Sequence, residues 1–247
     1  MTTLSNKTLA EIVITHHRTA AVFEKHRLDF CCKGKRTLRQ ACEERNIPVD
    51  ELENELGKVL NGSAGNAPAF PFEQLGLAQL ADYIVNTHHE YVKKELPQIF
   101  AYIQKVASKH GERHPELYNI FEAVAAIKEE MEAHMQKEEM ILFPRIKETE
   151  KLAAASPGQL QLQMAYLQSP ITVMEQEHDH AGSLMEEIRK LTHNYQEPGD
   201  ACTTYKLTYA SLKAFETDLH QHVHLENNIL FPKALELFRQ LTGFSMS

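Results

Sequence analysis

The chain has 247 residues, with 26 lysines and arginines against 34 aspartates and glutamates and a formal net charge of −8. No basic block offsets that charge, which argues against a nucleic-acid partner, and no apolar run approaches the ~20 residues that span a bilayer. The start, Met1-Thr-Thr-Leu-Ser5, lacks a secretory pattern, and four cysteines at this length make no disulfide framework, so a cytoplasmic protein with reduced thiols is expected.

Residues 1–60 read as a small helical domain. Ser5 can cap a first helix, whose apolar positions Leu9, Ile12, Val13, Val22 and Phe23 recur at helical spacing. A turn follows from Leu28 to Gly34 and contains the adjacent Cys31 and Cys32. Thr37 and Gln40 form a capping box for a second helix reaching about Arg45, and Asp50 to Leu60 makes a third after Pro48. Residues 61–72 have the glycine, serine and proline of a linker.

Residues 73–247 read as four long helices. The first runs from about Glu73 to Lys109 with a kink at Pro97, and the second from Pro115 to about Lys147. A polar connection over 148–168 leads to a third helix opening at Ser169 and Pro170 and ending before Pro198. The fourth runs from Asp200 to about Gln240, bent at Pro232. No segment alternates as a strand does. The class is therefore all-α: a small N-terminal helical domain followed by an antiparallel four-helix bundle.

Each long helix carries an apolar stripe in a 4-3 rhythm, and each stripe is broken at one level by polar residues. Val85, His89, Val92, Leu96 and Ile99 lie on the first, and Ile127, Met131, His134, Glu138 and Ile141 on the second. Met174, His178, Ala181 and Met185 lie on the third, and Leu219, His222, Glu226 and Ile229 on the fourth. A polar side chain within such a seam is costly unless it is paired or binds metal.

The second and fourth helices repeat one pattern. His134 and Glu138, and again His222 and Glu226, stand four residues apart, and each pair is followed by Ile-Leu-Phe-Pro. Residues four apart share a helix face, so each copy offers an imidazole and a carboxylate side by side. The offset between the copies is 88 residues for both the histidine and the glutamate, and His89 and His178 precede their copies by 45 and 44. A helical hairpin has been duplicated, which implies a pseudo-twofold axis through the site.

The candidate metal ligands are thus His89, His134, Glu138, His178, His222 and Glu226. Nitrogen and carboxylate donors of this kind suit iron, zinc or manganese. Pseudo-symmetry gives each of two metals two histidines and leaves both glutamates placed to bridge, neutralising charge between the cations. His180, His220 and His224 lie two residues from a proposed ligand and are expected to face solvent. His110, at the far end of the first helix, is a further candidate. Cys31 and Cys32 are either turn packing or a reactive thiol pair, whereas Cys42 and Cys202 are expected to be structural.

On these residues the chain resembles the hemerythrin-like proteins and, more closely, the repair-of-iron-centres di-iron family. The resemblance spans nearly the whole chain. Leu28-Asp-Phe-Cys-Cys-Lys-Gly34 resembles that family's short cysteine domain. His89, the His134–Glu138 pair, Glu177-His178-Asp179, and His222 with Glu226-Asn-Asn-Ile-Leu-Phe-Pro232 resemble its di-iron domain. The family usually has Cys-Cys-Gly-Gly, and Lys33 stands here at the first glycine position; lysine tolerates positive φ poorly.

The resemblance implies a cytoplasmic protein with a non-haem di-iron centre, oxo- or hydroxo-bridged, that takes part in restoring iron–sulfur clusters damaged by nitric oxide or oxidants. Its expected partners are damaged iron–sulfur proteins, with nitric oxide or oxygen as small ligands, and a homodimer is compatible with the small first domain. Three roles stand open at this point. The chain could donate iron for cluster repair with Cys31 and Cys32 assisting, act as an enzyme reducing nitric oxide at the same centre, or sense oxygen or redox state.

Overall fold

The computed structural model describes residues 4–61, 71–155 and 164–242. Most of the expected linker at 61–72, and residues 156–163 of the expected connection at 148–168, therefore lie outside the described residues. The rest of that connection is helical apart from Met164, because the second long run continues to Ala155 and the third begins at Ala165. The chain divides into two compact units. The first comprises Met1–Leu75 together with Val223–Pro232, and the second comprises Gly76–His222 with Lys233–Ser247. Among the described residues the secondary structure is helical, apart from one isolated bridge between Thr8 and Thr37.

In the first unit, helix α1 (Leu9–Thr15) is capped by Thr8, whose hydroxyl accepts from Glu11 N while the Glu11 carboxylate accepts from Thr8 N. Ser5, the expected cap, instead lies in a 3-10 turn and donates its N–H to Glu53 Oε1 at 2.7 Å. The expected single first helix is interrupted at His16–Thr19 before α2 (Ala20–Lys25), where the Thr19 hydroxyl takes up the His16 carbonyl. The box of Thr37 and Gln40 opens α3 (Leu38–Arg45) as read, and α4 is Val49–Asn61. Leu9, Ile12, Phe23, Leu38 and Leu52 form its buried core.

In the second unit four helical runs pack as a bundle around the buried stripes Val92, Leu96, Ile99 and Ile103; Ile120, Val124, Ile127 and Met131; Ile171, Met174 and Met185; and Leu212, Phe215 and Leu219. The runs are α5 (Leu77–Ile84) with α6 (Glu90–His110), α7 (Glu116–Lys137) with α8 (Phe143–Ala155), α9 (Ala165–Leu191), and α10 (Thr203–Leu225) with α11 (Phe231–Thr242). The third run starts before Ser169-Pro170 and ends at Leu191, ahead of Pro198 as expected. After Leu191, positive φ at His193, Asn194 and Tyr195 breaks the helix, and Tyr195 is buried with its hydroxyl donating to Glu216 at 2.8 Å. Arg189 pairs with the same buried carboxylate at 2.6 Å.

Three of the joints are π-helical turns: Val85–His89, Glu138–Leu142 and Glu226–Leu230. In the last two, the N–H of Phe143 and of Phe231 reaches the carbonyl five residues back, on Glu138 and Glu226. The next residue is Pro144 or Pro232. Proline has no N–H and its ring crowds the carbonyl four residues back, so the ordinary turn widens there. The widened turn shifts the downstream register. Ile141, read as part of the apolar stripe, consequently faces outward and is 44% exposed, while Leu142 is buried.

Candidate metal centre

All six proposed ligands are buried: His89, Glu138, His222 and Glu226 at 0% exposure, His178 at 1% and His134 at 2%. They fall into two donor sets, His89–Glu138–His222–Glu226 and His134–Glu138–His178–Glu226, within each of which the ligand atoms lie within 4.8 Å of one another. Both glutamates belong to both sets. Oε2 of Glu138 stands 3.3 Å from Nε2 of His89 and 3.3 Å from Nε2 of His134. The Nε2 atoms of His134 and His178 are 3.0 Å apart. Two donors each about 2.0–2.2 Å from a single ion stand roughly 3.0–3.6 Å apart, so these spacings fit a common metal. Charged and polar groups this deeply buried need such a partner to offset their lost hydration. The residues present therefore fit a metal site whose donor set is consistent with iron.

Three of the six donors sit in the π turns. His89 closes the first, while Glu138 and Glu226 open the other two. Their helices are held by ordinary means: Leu77 N and Ala78 N at the start of α5, for instance, donate to the Glu150 carboxylate of α8 at 2.6 and 3.0 Å.

Around the proposed ligands lie residues to which the sequence gives no role of their own, Glu177 of the Glu177-His178-Asp179 motif among them. His89 Nδ1 meets Glu139 Oε1 at 2.8 Å, and Lys93 Nζ stands 2.9 Å from the same oxygen. His134 Nδ1 meets Glu177 Oε2 at 2.9 Å, and Lys137 bonds the other oxygen of that carboxylate. The bond from His134 and the adjacent Lys137 lower the Glu177 carboxyl to about 2 against the opposing effect of partial burial. For Glu139, burial pushes upward, but Lys93 and His89 together outweigh it and the carboxyl sits below its ordinary range. His88 is buried as well, stacked on His222 with ring centroids 5.6 Å apart and bonded through Nδ1 to Asp218 at 3.0 Å. The signal available in the sequence was a lysine three or four residues after each of His134 and His89.

Of the histidines expected to face solvent, His180 does so and His220 is half-buried, but His224 is 5% exposed. It packs edge-on against Phe30, remote in sequence, at 5.5 Å, and its Nδ1 meets Nδ2 of Asn228, one turn further on, at 3.1 Å. His110 lies apart from the donor sets, its Nε2 3.2 Å from Cys202 Sγ.

In the first unit the cysteine turn wraps one carboxylate oxygen. Oδ1 of Asp29 accepts from the N–H groups of Cys31, Cys32 and Lys33 at 3.1, 2.9 and 3.3 Å, and from the Cys31 thiol at 3.2 Å. The sulfurs of Cys31 and Cys32 are 3.9 Å apart and all four cysteines are free thiols. Asp29, Cys31 and Cys32 thereby form a third group of converging donors. The bond with Cys32, burial and the Asp29 charge hold the Cys31 thiol well above its usual range, so it keeps its proton in the absence of a metal. Lys33 is not among the residues with positive φ, and its backbone needs no glycine. Gly34 does: a Cβ there would stand 2.3 Å from the Phe30 carbonyl oxygen. Asn228 Nδ2 ties the turn down from the far end of the chain by donating to the carbonyls of Phe30 and Cys31 at 3.3 and 3.0 Å.

No helix among the described residues is long and apolar enough to cross a membrane. Comparison with known proteins gives two family matches: the hemerythrin HHE cation-binding domain over residues 80–234, and the ScdA_N domain, described as a domain of unknown function, over residues 5–60. The iron-sulfur cluster repair protein YtfE of Pectobacterium carotovorum is 36% identical over 230 residues, covering 93% of this chain and 97% of that protein. The protein of the same name from Yersinia pestis is 35% identical with the same coverage. With both modules in the same order and the likeness running almost end to end, this chain belongs to the YtfE family of iron-sulfur cluster repair proteins.

Proposed function

We propose that the protein is a di-iron protein that repairs iron–sulfur clusters damaged by nitrosative or oxidative stress, and that it does so by donating iron. His89 and His222 would hold one iron, His134 and His178 the other, with Glu138 and Glu226 bridging. The observation that carries the reading is the pair of buried donor sets sharing both glutamates. A site with few soft donors holds ferrous iron without the grip of thiolates, which suits release to a client. The bound iron would supply exchangeable Fe(II); the chain's own residues exclude bulk water and fix the donors. Asp29, Cys31 and Cys32 then offer a transfer point. Binding a metal there requires the Cys31 thiol to give up its proton, so loading is coupled to metal arrival. Free thiols in this role fit a reducing cytoplasm.

The test is anaerobic purification followed by iron analysis, Mössbauer spectroscopy and reactivation of a nitrosylated cluster enzyme. Two irons per chain are expected for the wild type and at most one for Glu138→Ala. Cys31→Ala with Cys32→Ala should keep both irons and lose most of the reactivation; unchanged reactivation would remove the thiols from the pathway. Multiple-turnover release of nitrous oxide from nitric oxide would instead make the centre a reductase.

A further inference from the structure

In each donor set a histidine has its outer nitrogen engaged by a carboxylate, and the two arrangements are built alike. His89 and Lys93 project from one helical run and grip Glu139, which adjoins the shared ligand Glu138 on the next run. His134 and Lys137 project from one helix and grip Glu177, which adjoins the ligand His178 on α9. In each case the carboxylate links a ligand of its own run to a ligand of the neighbouring one.

The duplication does not account for this. The counterpart of Glu139 is position 227 (139 + 88), an asparagine, and that of Glu177 is position 88 (177 − 89), a histidine. The device reaches His89 in one donor set and His134 in the other.

We propose that Glu139 and Glu177, each strapped by a lysine, are positioning residues that hold one histidine per metal and set how fast each ion is released. This rests on the di-iron reading above. The physical reason is the imidazole's two nitrogens. An ionised carboxylate only accepts hydrogen bonds, so Nδ1 must carry the proton, and Nε2 is left with its lone pair toward the donor set. Losing the carboxylate frees the ring to rotate and to protonate at the wrong nitrogen. The lysines act at one remove: Lys93 and Lys137, 42% and 41% exposed at their side chains, keep each carboxylate turned toward its histidine.

The experiment is ferrous-iron loss from anaerobically loaded full-length protein to an excess of a colorimetric chelator. Wild type should release both ions at one slow rate. Glu177→Ala and Glu139→Ala should each become biphasic, half of the iron leaving about 10- to 100-fold faster and half at the original rate, with the spectrum of only one iron altered. Glutamine at either position, which still accepts from Nδ1 but lacks the charge, should restore much of the slow rate. Glu130→Ala, which removes the surface partner 3.2 Å from His180, serves as control and should change nothing. Melting of the iron-free proteins separates folding from positioning: the inference requires equal midpoints with unequal release. Wild-type release rates in both alanine variants would overturn it, as would loss of both irons together. Failure of the wild type to load iron at all would instead overturn the di-iron reading.

Discussion

The two copies of the His-x-x-x-Glu…Ile-Leu-Phe-Pro segment agree on their inner face and part company on their outer one. Inside, both open a π turn at the glutamate and bury histidine and carboxylate together. Outside, the first copy presents Gln136, Met140 and Ile141 to solvent, Met140 at 72% exposure. The corresponding positions in the second copy are His224, Asn228 and Ile229; His224 and Ile229 are buried, and the segment belongs to the same compact unit as the cysteine turn, packed with α1. The two copies thus share an inner donor face, and only the second carries on its outer face the residues that contact the cysteine turn.

The greatest contrast should come from the isoleucines. Ile229→Ala removes a side chain that is 4% exposed and leaves a cavity, which costs about 2–5 kcal/mol. Ile141→Ala, at a position 44% exposed, should stay within about 0.5 kcal/mol. Urea denaturation of the two variants measures the difference; equal destabilisation would mean that the outer faces are alike after all.

The histidine at position 224 adds a pH dependence that Gln136 cannot. Burial lowers the His224 imidazole to about 4, against the opposing pull of a hydrogen bond to the Phe30 backbone. The unfolded chain, near 6.5, takes up the proton first as pH falls. The stabilisation is therefore complete above about 6.5 and is lost as pH falls from there to about 4, by roughly 3 kcal/mol at most. His224→Gln should flatten that part of the profile in iron-free protein. A wild-type-minus-variant difference that does not change between pH 7 and pH 4 would rule the effect out.

The inner face is legible in the sequence and the outer one is not, for a physical reason. Histidine and glutamate four apart, in an otherwise apolar seam, have few uses other than a shared ligand, and the six positions named from that pattern are the six that the fold gathers. The Thr37–Gln40 capping box was visible because its partners are three residues apart. The seat for the cysteine turn depends on contacts between residues some 200 positions apart, and local periodicity says nothing of those. Counting outward from His222 put His224 in solvent, since a helix with one buried face was assumed. The π turns were hidden similarly: Pro232 was read as a bend, whereas the chain accommodates it by widening one turn, and the same widening at Pro144 moved Ile141 off the stripe. Glu139 and Glu177 were legible as charges but not as partners, because each pairs with a histidine on another helix.

The smallest effect tests how the seat is held. Asn228 donates to two carbonyls of the cysteine turn, and its counterpart Met140 has neither the donor nor the neighbour. Asn228→Ala leaves the Phe30 and Cys31 carbonyls without that donor and should cost about 1–2 kcal/mol, whereas Met140→Ala should cost nothing measurable. The more telling readout is local. Phe30 is 1% and Cys31 5% exposed, so amide exchange over Phe30–Gly34 and alkylation of Cys31 report whether the turn stays closed. Both should accelerate in Asn228→Ala while the iron content stays at the wild-type level. If exchange in the turn is unchanged, the turn is held from within, by the Asp29 carboxylate that accepts its three N–H groups, and the second copy contributes packing alone.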